Sequence, residues 1–509
     1  MRTSGILMPV FSLPSPHGIG TMGREAYKFV DFLRRGGQSY WQILPLNPTN
    51  YGDSPYQSFS SFAGNPYFID LDMLVEDGLL TSDEVNAADF GDDPNGIDYG
   101  KLYENRLPLL RLAHSRFEGG KEYDAFCEEN GYWLNEYALF MALKNANKDV
   151  SWEDWDDSLR LRQPEAIEAA KVEHADNIAF YCFVQFKFAE QWLSLKEYAN
   201  ENGIKIIGDI PIYIAYDSAD TWASPSQFML DEDLKPVKVA GCPPDAFSED
   251  GQLWGNPLYL WDEMKKDGYS WWKKRIAYAM KLYDMVRIDH FRGFEAYYTI
   301  PYGDENAKGG SWMKGPNMDL FNELKKDFGE DLPIIAEDLG LLTEEVYEML
   351  RQSGFPGMKV MQFAFDGNPN NEYLPHCHIP NCIVYTGTHD NDTIMGWLET
   401  SGEDTVAQAK KYMHATSDEG FNWTMMRHAL MSCSDTVILM MQDLIGLGSE
   451  ARINAPSTVG KNWQWRIDGG CINEWLASVV LENVATYGRA NPMAYVTDEP
   501  EEEEAEAAE

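Results

Sequence analysis

Acidic side chains follow four short apolar runs in this sequence, and their placement is the first indication of chemistry. The segments IIGDIPIY, MVRIDHFRGF, PIIAEDLG and YTGTHDNDT supply Asp209, Asp289, Glu337 and Asp390. A charged group at the end of a buried strand is costly unless it is paired or used. Because the carboxyl ends of barrel strands meet at one rim, we expect Asp289, Glu337 and Asp390 to face a common site.

The alternative interpretation of such acids is helix capping, since Asp and Asn commonly cap the helix that follows a strand. We assign that structural role to Asp338, Asn391 and Asp392. The other three acids come from three different strand ends that converge on one mouth, which favours a functional role.

Two or three convergent carboxylates suit the cleavage of a glycosidic bond, in which one acid protonates the leaving oxygen and a second carboxylate attacks the anomeric carbon. Asp289 and Glu337 end consecutive strands, and parallel neighbours lie about 4.8 Å apart. That spacing favours the carboxyl separation of about 5–5.5 Å of retaining enzymes over the about 6.5–9.5 Å of inverting ones. Arg287 lies on the same strand face as Asp289 and should hold it ionised. Glu337, beside negative neighbours, should start protonated.

Signatures of other chemistries are missing from the sequence. The nine histidines form no HExxH pair, and no dinucleotide, P-loop or GxSxG motif is present. His376 and His378 flank Cys377, which leaves a metal cluster open. The spacing fits no standard zinc pattern, so a polar loop is the preferred interpretation, and we predict no metal site.

Eight apolar runs predict the framework that positions these acids. They are Gly5–Val10, Tyr40–Pro45, Ile204–Ile212, Met285–Ile288, Leu332–Ala336, Met358–Phe365, Cys382–Tyr385 and Thr436–Met441. Helical patterns follow at Gly23–Arg35, Asn177–Asn202, Leu260–Leu282, Met318–Phe328, Thr343–Ser353, Thr405–His414 and Asn473–Thr486. The alternation predicts an α/β protein, a (β/α)8 TIM barrel. Residues 366–381 show no clear helix, so a doubly wound open sheet stays possible.

Two connections are longer than a simple strand–helix unit requires. We interpret residues 71–171, between the second and third runs, as a helical insertion. Residues 215–259 are rich in proline but carry aromatic side chains, which favours a functional loop region over disorder. We therefore predict a single catalytic barrel over residues 1–497, followed at 498–509 by a disordered acidic tail.

Charge and composition exclude several classes of partner. The 509 residues include 82 acidic and 41 basic ones, a net charge of −41, so nucleic acid and anionic membranes are disfavoured. Aromatic residues make up 13% of the chain, which suits a large core or ring surfaces for stacking sugars. The seven cysteines form no CxxC pair, and no apolar run reaches the about 18 residues of a membrane span. We expect a cytoplasmic protein with reduced thiols.

Longer blocks of sequence resemble a known family. They are YGDSPYQSFSSFAGNPYFIDL, GDIPIYIAYDSADTW, GCPPDAFSEDGQLWGNPLY, VRIDHFRGF, AEDLG, GTHDNDT, DLIGLGSEARINAPS and NWQWR. Together they resemble the 4-α-glucanotransferases of glycoside hydrolase family 77, also called amylomaltases or disproportionating enzymes. The resemblance runs from the first ten residues to about residue 490. It implies a (β/α)8 barrel that transfers α-1,4-glucan segments from a donor to the 4-hydroxyl of an acceptor glucan or glucose. Reaction would proceed by retaining double displacement without a cofactor.

The resemblance also implies roles for single residues. Asp289 is similar to the family nucleophile, Glu337 to its general acid/base, and Asp390 to a third carboxylate that holds hydroxyls of the −1 glucose. The expected substrate contacts are Arg287, His389, Tyr56 and Asp209 around that sugar, Gln252, Trp254, Asn256 and Pro257 on the acceptor side, and Tyr51 at a remote surface position. Plain packing is the alternative for Tyr51 and Tyr56, and anchoring of its own loop for Trp254.

The implied partners are maltooligosaccharides, starch and glycogen, bound by a monomer or weak homodimer. Two other functions stay open on the sequence. One is a retaining α-glucan hydrolase on the same barrel, and the other is a catalytically inactive starch-binding protein, which the intact acids at three strand ends argue against.

Overall fold

Within the residues that the structure describes, twelve strands form two sheets. The structure is a computed structural model that describes residues 2–50, 52–244, 249–340, 342–416 and 418–496. In chain order the strands are β1 (Thr3–Leu7), β2 (Tyr40–Gln42), β3 (Lys205–Pro211), β4 (Lys238–Cys242), β5 (Gln252–Pro257), β6 (Met285–Asp289), β7 (Ala296–Pro301), β8 (Ser311–Lys314), β9 (Ile334–Ala336), β10 (Gly357–Val360), β11 (Cys382–Tyr385) and β12 (Thr436–Met440).

Eight strands form one parallel sheet in the order β10-β11-β12-β1-β2-β3-β6-β9. Each overlaps one of the eight apolar runs, and the predicted (β/α)8 barrel is confirmed. Strands β10, β11 and β12 are buried along nearly their whole length. A parallel sheet is covered on both faces, which explains why these strands appear in the sequence as continuous apolar runs.

Between β9 and β10 the barrel is closed by single hydrogen bonds in place of a ladder. The Ala336 N–H donates to the Pro356 carbonyl at 3.0 Å. The Met358 N–H donates to the carboxylate of Asp338 at 2.6 Å, so a side-chain oxygen acts where a strand carbonyl normally would. The interpretation of Asp338 as a helix cap is therefore wrong, because the N-cap residue of the next helix is Thr343.

Helices surround the barrel and fill the long connections. In chain order they are α1 (Arg24–Arg35), α2 (Leu71–Glu76), α3 (Ser82–Asn86), α4 (Tyr99–Arg116), α5 (Lys121–Ala146), α6 (Asp157–Arg160), α7 (Pro164–Glu173), α8 (Ala175–Glu201), α9 (Ala219–Ala223), α10 (Trp261–Lys266), α11 (Ser270–Leu282), α12 (Met318–Phe328), α13 (Glu344–Ser353), α14 (Ile394–Thr400), α15 (Glu403–Met413), α16 (Phe421–Met431), α17 (Met441–Leu444) and α18 (Glu474–Thr486). Helices α2 to α7 lie between β2 and β3, and α5 packs along α8. No helix of the described ranges is both long and apolar enough to cross a membrane.

Several helices differ from the sequence prediction. The helix predicted over Leu260–Leu282 is divided into α10 and α11, because Gly268 and Tyr269 adopt left-handed φ angles of 70° and 59°. Helices α14 and α16 were not predicted. Seven of the eleven residues of α16 are buried, so it lacks the polar stripe that marks a surface helix.

A second, antiparallel sheet in the order β5-β4-β7-β8 lies beside the barrel. Its strands β4 and β5 occupy part of the 215–259 region, which had been predicted to be rich in loops. Strand β4 pairs with both β5 and β7, and β7 lies more than 50 residues further along the chain. Such pairing depends on distant partners, which a local pattern does not reveal.

Candidate active site

A cleft of about 270 Å³ opens at the carboxyl ends of the barrel strands. Among the predicted residues it brings together Asp289, Asp390, His389, Tyr56, Gln252, Trp254 and Asn256. They reach it from the ends of β6 and β11, from the loop after β2, and from β5 of the second sheet. This is the face on which barrel enzymes carry their functional groups.

A chain of charged contacts lies beneath the cleft. One Arg287 nitrogen, Nη1, donates to both carboxylate oxygens of Asp209, at 2.8 and 2.6 Å. The other, Nη2, donates to Asp289 Oδ1 at 2.8 Å. Burial opposes the charge on Arg287, but Asp209 and Asp289 outweigh it and raise the pKa of the guanidinium. The guanidinium therefore stays charged and holds both Asp209 and Asp289 by ion pairs.

Glu337 occupies the opposite electrostatic situation. Burial, and then the negative charge of Asp289, raise the pKa of its carboxyl from the ordinary 4.5 to about 8. Arg287 and two backbone N–H donors oppose that rise without cancelling it. Near neutral pH, Glu337 is therefore protonated in the folded protein and can act as an acid.

The backbone around Asp289 and Glu337 joins the two groups. The His290 N–H donates to Glu337 Oε2 at 2.7 Å, and the Leu339 N–H donates to Oε1 at 2.8 Å. His290 has a left-handed φ of 56°, a conformation uncommon for a residue with a side chain. This local turn directs the amide that follows Asp289 towards the carboxylate at the end of β9.

Asp390 is held at the cleft from two sides. Asn454 Nδ2 donates to its Oδ1 at 2.6 Å, and Arg452 Nη2 donates to its backbone carbonyl at 2.6 Å. His389 Nε2 lies 3.4 Å from Asp390 Oδ1. The side chain of Asp390 is 46% exposed, so its carboxylate is accessible to a bound molecule.

Tyr56 links this group to the buried charges. Its ring stacks on His389 with centroids 4.9 Å apart and planes inclined by 20°. Its hydroxyl donates to Asp209 Oδ2 at 2.8 Å. An aromatic face is thereby fixed at the cleft beside Asp289, which suits contact with the apolar face of a sugar ring.

The opposite rim of the cleft is formed by β5. The Trp254 indole packs edge-to-face on His290 at 4.8 Å, and its Nε1–H donates to Gln252 Oε1 at 3.0 Å. Asn256 Nδ2 donates to the Ile214 carbonyl at 2.7 Å. At this rim the indole ring of Trp254 is therefore held in one orientation, and Gln252 and Asn256 beside it are hydrogen-bonded.

Other predicted residues lie at different depths or outside the described part of the chain. Asp209 and Arg287 are buried behind the lining and act on it through Tyr56 and Asp289. Pro257 is buried at the end of β5. Tyr51 and the tail from residue 498 onward fall outside the described residues.

Asn391 and Asp392 do not cap α14, whose cap is Thr393. Asn391 Oδ1 instead accepts from the Thr388 N–H and hydroxyl, each at 2.9 Å. Asp392 Oδ2 accepts from the Ser449 hydroxyl at 2.6 Å. Both side chains thus hold the loop that carries His389 and Asp390.

Sequence reasoning missed several lining residues, namely Ser54, Gln57, Pro211, Ile212, Tyr213, His290, Asn454, Pro456, Ser457 and Trp463. Asn454, Pro456 and Ser457 lie in the block DLIGLGSEARINAPS, and Trp463 lies in NWQWR. The blocks marked the segment after β12 as important, but nothing in their composition indicates which side chains point into the cleft.

The His376–His378 segment is a hydrogen-bonded loop. His376 bonds to the Tyr412 hydroxyl and to the Pro369 carbonyl, each at 2.9 Å. His378 Nε2 lies 3.0 Å from the Tyr373 carbonyl. Across the described residues, no three His, Cys, Asp or Glu side chains are arranged to hold a metal ion.

Comparison with known proteins gives concordant matches. A family model described as 4-alpha-glucanotransferase matches residues 8–472. The chain is 51% identical over 486 residues to the 4-alpha-glucanotransferase of Clostridium butyricum, covering 95% of this chain and 100% of that protein. It is 46% identical over 479 residues to the 4-alpha-glucanotransferase of Thermus thermophilus, covering 92% and 95%.

Solved structures agree. The amylomaltase from Streptococcus agalactiae, determined in complex with acarbose, matches with a TM-score of 0.94 at 43% identity, covering 96% of this chain and 100% of that one. The amylomaltase from Corynebacterium glutamicum has the same fold, with a TM-score of 0.76 at 18% identity over 96% of this chain and 75% of that one.

Proposed function

We propose that three carboxylates of this chain, which belongs to glycoside hydrolase family 77, the 4-alpha-glucanotransferases, have separate roles in one reaction. The enzyme transfers segments of α-1,4-glucan by retaining double displacement through a covalent glucosyl-enzyme. In our proposal Asp289 is the nucleophile, Glu337 the general acid/base, and Asp390 the group that holds the reacting sugar.

In the first step Asp289 attacks the anomeric carbon of the donor glucan. The bond from that carbon to the glycosidic oxygen breaks, and Glu337 gives its proton to the departing oxygen. Asp289 becomes a glucosyl ester, and the released chain leaves with a free 4-hydroxyl. The ion pair with Arg287 supports this role, because it fixes one carboxylate oxygen of Asp289 at 2.8 Å from the guanidinium.

In the second step the 4-hydroxyl of an acceptor attacks the same carbon. Glu337, now a carboxylate, takes the hydroxyl proton, and the ester bond to Asp289 breaks. The α-1,4 link is restored and Glu337 is protonated again. A pKa of about 8 suits the first half, in which Glu337 gives a proton. In the ester the negative charge of Asp289 is lost, which lowers the pKa of Glu337 and suits its role as a base in the second half.

We assign to Asp390 and its neighbours the stabilisation of the cation-like sugar between these steps. The half-exposed carboxylate of Asp390 is available for sugar hydroxyls, and its Oδ1 is fixed by Asn454. We assign Tyr56 to the apolar face of the same sugar and His389 to its polar contacts. Arg287 and Asp209, which are buried behind the lining, hold Asp289 and Tyr56 in place.

Transfer must compete with water at about 55 M, so the acceptor has to be bound and oriented. We propose that Trp254, with Gln252, Asn256 and Pro257 around it, forms the acceptor side. The edge-to-face contact of Trp254 with His290 supports this assignment, because it fixes an apolar surface next to the residue that follows the nucleophile. A glucan lying on this surface excludes water from the ester.

The observation that carries the division of roles is the opposite electrostatics of two neighbouring carboxyls. Asp289 is paired with Arg287, whereas burial and the charge of Asp289 keep Glu337 protonated up to a pKa of about 8. This is the pattern expected of an acid and a nucleophile acting on one bond.

Incubation with maltotriose followed by separation of the products tests the proposal. A ladder of longer maltooligosaccharides together with glucose is the expected result. Predominant hydrolysis would instead indicate a retaining α-glucan hydrolase, and the absence of any product would indicate a binding protein.

We further propose that the donors and acceptors are maltooligosaccharides, starch and glycogen. Cytoplasmic location, a monomer or weak homodimer, and a single catalytic unit over residues 1–497 complete the proposal. The net charge of −41 supports neutral glucans over nucleic acid or anionic membranes as partners.

A further inference from the structure

One buried carboxylate holds both ends of the loop that carries His389 and Asp390. Asp443 Oδ2 accepts from the Thr386 hydroxyl at 2.7 Å, and Oδ1 accepts from the Ile394 N–H at 2.7 Å. Thr386 directly follows β11, and Ile394 is the first residue of α14. The two bonds tie together the points where the loop leaves the barrel and where it enters the helix.

Asp443 is itself attached to the barrel. It lies in α17, which begins immediately after β12, the strand paired with β11. Its backbone carbonyl accepts from Asn422 Nδ2 at 2.8 Å, and Asp443 as a whole is 1% exposed. The position of the carboxylate is therefore set by strand pairing and packing, and is independent of the loop that it holds.

The tip of the loop is held by other groups. Asn454 and Arg452 bond to the side chain and backbone of Asp390, and the Asn454 N–H donates to the His389 carbonyl at 3.0 Å. These contacts fix the tip relative to the segment after α17, but they lie away from the base of the loop. The base is fixed by Asp443, so the two sets of contacts together determine where Asp390 stands.

Burial of the Asp443 carboxylate costs free energy, which is unfavourable if its role is only structural. A carboxylate in a buried site loses hydration, and hydrogen bonds from one hydroxyl and one backbone amide compensate for that loss at Asp443. Burial raises the pKa of Asp443 to about 7. The ionised group can accept at both oxygens at once, whereas an amide of the same shape presents only one acceptor.

We propose that Asp443, acting with Thr386, is a positioning residue for the reaction, and that it sets the location of Asp390 and His389 against the reacting sugar. The inference rests on the role proposed above for Asp390. Asp443 is not among the residues that line the cleft, and it reaches the reaction through the loop. Loss of the two bonds would leave the loop present but displaced.

The primary test replaces Thr386, whose side chain makes one of the two bonds. T386V keeps the shape of the side chain and removes its hydroxyl, whereas T386S restores it. With maltotriose as substrate, we expect T386V to lower kcat by about tenfold or more, because displacements near 1 Å can cost about 100-fold. KM should stay within about twofold, since the lost interaction belongs to the transition state. T386S should recover most of the rate.

D443N is the second variant, expected to lower kcat at least as far as T386V. The matched control is D70N. Asp70 is a buried carboxylate that accepts from the Thr21 hydroxyl at 2.6 Å and from the Met73 N–H at 3.0 Å, at the start of α2 and outside the cleft lining. We expect D70N to lower the melting temperature with kcat unchanged.

Wild-type kcat in both T386V and D443N would overturn the proposal. So would a loss of kcat in D70N equal to that in D443N at the same loss of melting temperature, because the effect would then be one of general stability. Failure of the underlying role is recognised separately, since D390N would then retain the wild-type rate whatever the Thr386 and Asp443 variants do.

Discussion

The raised pKa of Glu337 makes a prediction about stability as well as activity. Between pH 4.5 and about 8 the folded protein keeps a proton on Glu337 that the unfolded chain has already released. The free energy of unfolding must therefore fall as pH rises through this window and level off above it. The substitution E337Q removes this titration, so the stability of the variant relative to the wild type should increase as pH rises, although the variant loses activity.

The size of the effect follows from the pKa. From pH 6 to the folded pKa of about 8, each pH unit changes the free energy of unfolding of the wild type by about 1.4 kcal/mol. We call the unfolding free energy of E337Q minus that of the wild type the stability gap. It should change by about 3 kcal/mol in favour of E337Q between pH 6 and pH 9. The glutamine also leaves the His290 or Leu339 amide without its acceptor, at a cost of about 1–3 kcal/mol. That cost is the same at pH 6 and pH 9, so it does not affect the change in the stability gap between the two pH values.

Urea unfolding followed by tryptophan fluorescence at pH 6 and pH 9 measures the gap. E330Q serves as the control, because it makes the same chemical change at a carboxylate whose side chain is 86% exposed. Its gap to the wild type should not change with pH. An E337Q gap that is equal at the two pH values would refute the argument that burial and Asp289 keep Glu337 protonated.

Three further predictions concern the cleft. D289A should abolish both transfer and hydrolysis of maltotriose, and retention of either activity would exclude Asp289 as the nucleophile. W254A should raise the ratio of hydrolysis to transfer, measured as reducing ends released per glucan segment transferred, because the acceptor surface is lost; an unchanged ratio would contradict the acceptor-side assignment. Y56F keeps the ring stacked on His389 but removes the 2.8 Å bond to Asp209. Y56F should lower kcat by about tenfold with little change in melting temperature. A marked fall in melting temperature together with the loss of kcat would instead indicate a packing role for Tyr56.

Much of the framework was predictable because its signals are local. The strands of a parallel sheet are covered on both faces, so each appears as a short apolar run whatever its neighbours are. The acids Asp289, Glu337 and Asp390 were recognisable because they follow such runs. The barrel rule then placed them at one rim without any knowledge of distances.

The features that escaped prediction depend on contacts between distant segments. The sheet formed by β4, β5, β7 and β8 depends on pairing of β4 with β7, more than 50 residues away. Strands β4 and β5 lie in the region predicted to be rich in loops, and the sequence pattern indicated no strand at β7 or β8. Helix α16 is buried on most of its surface, so it lacks the amphipathic period by which helices are recognised. Asp338 was misjudged because its partner, the Met358 amide, belongs to the next strand of the barrel and not to the following helix.

The amino-acid order alone specifies the kind of protein this is: an acidic (β/α)8 barrel with carboxylates at its strand ends, suited to glycosidic bonds. It does so because side-chain burial repeats with the period of each element and can be recognised within a few residues. The state of those carboxylates comes from the folded molecule. Glu337 is protonated because folding buries it near Asp289, and Asp390 is held by Asn454 from a segment 64 residues away. Charge interactions and burial act through space, so the ionisation and position of each group are properties of the assembled barrel.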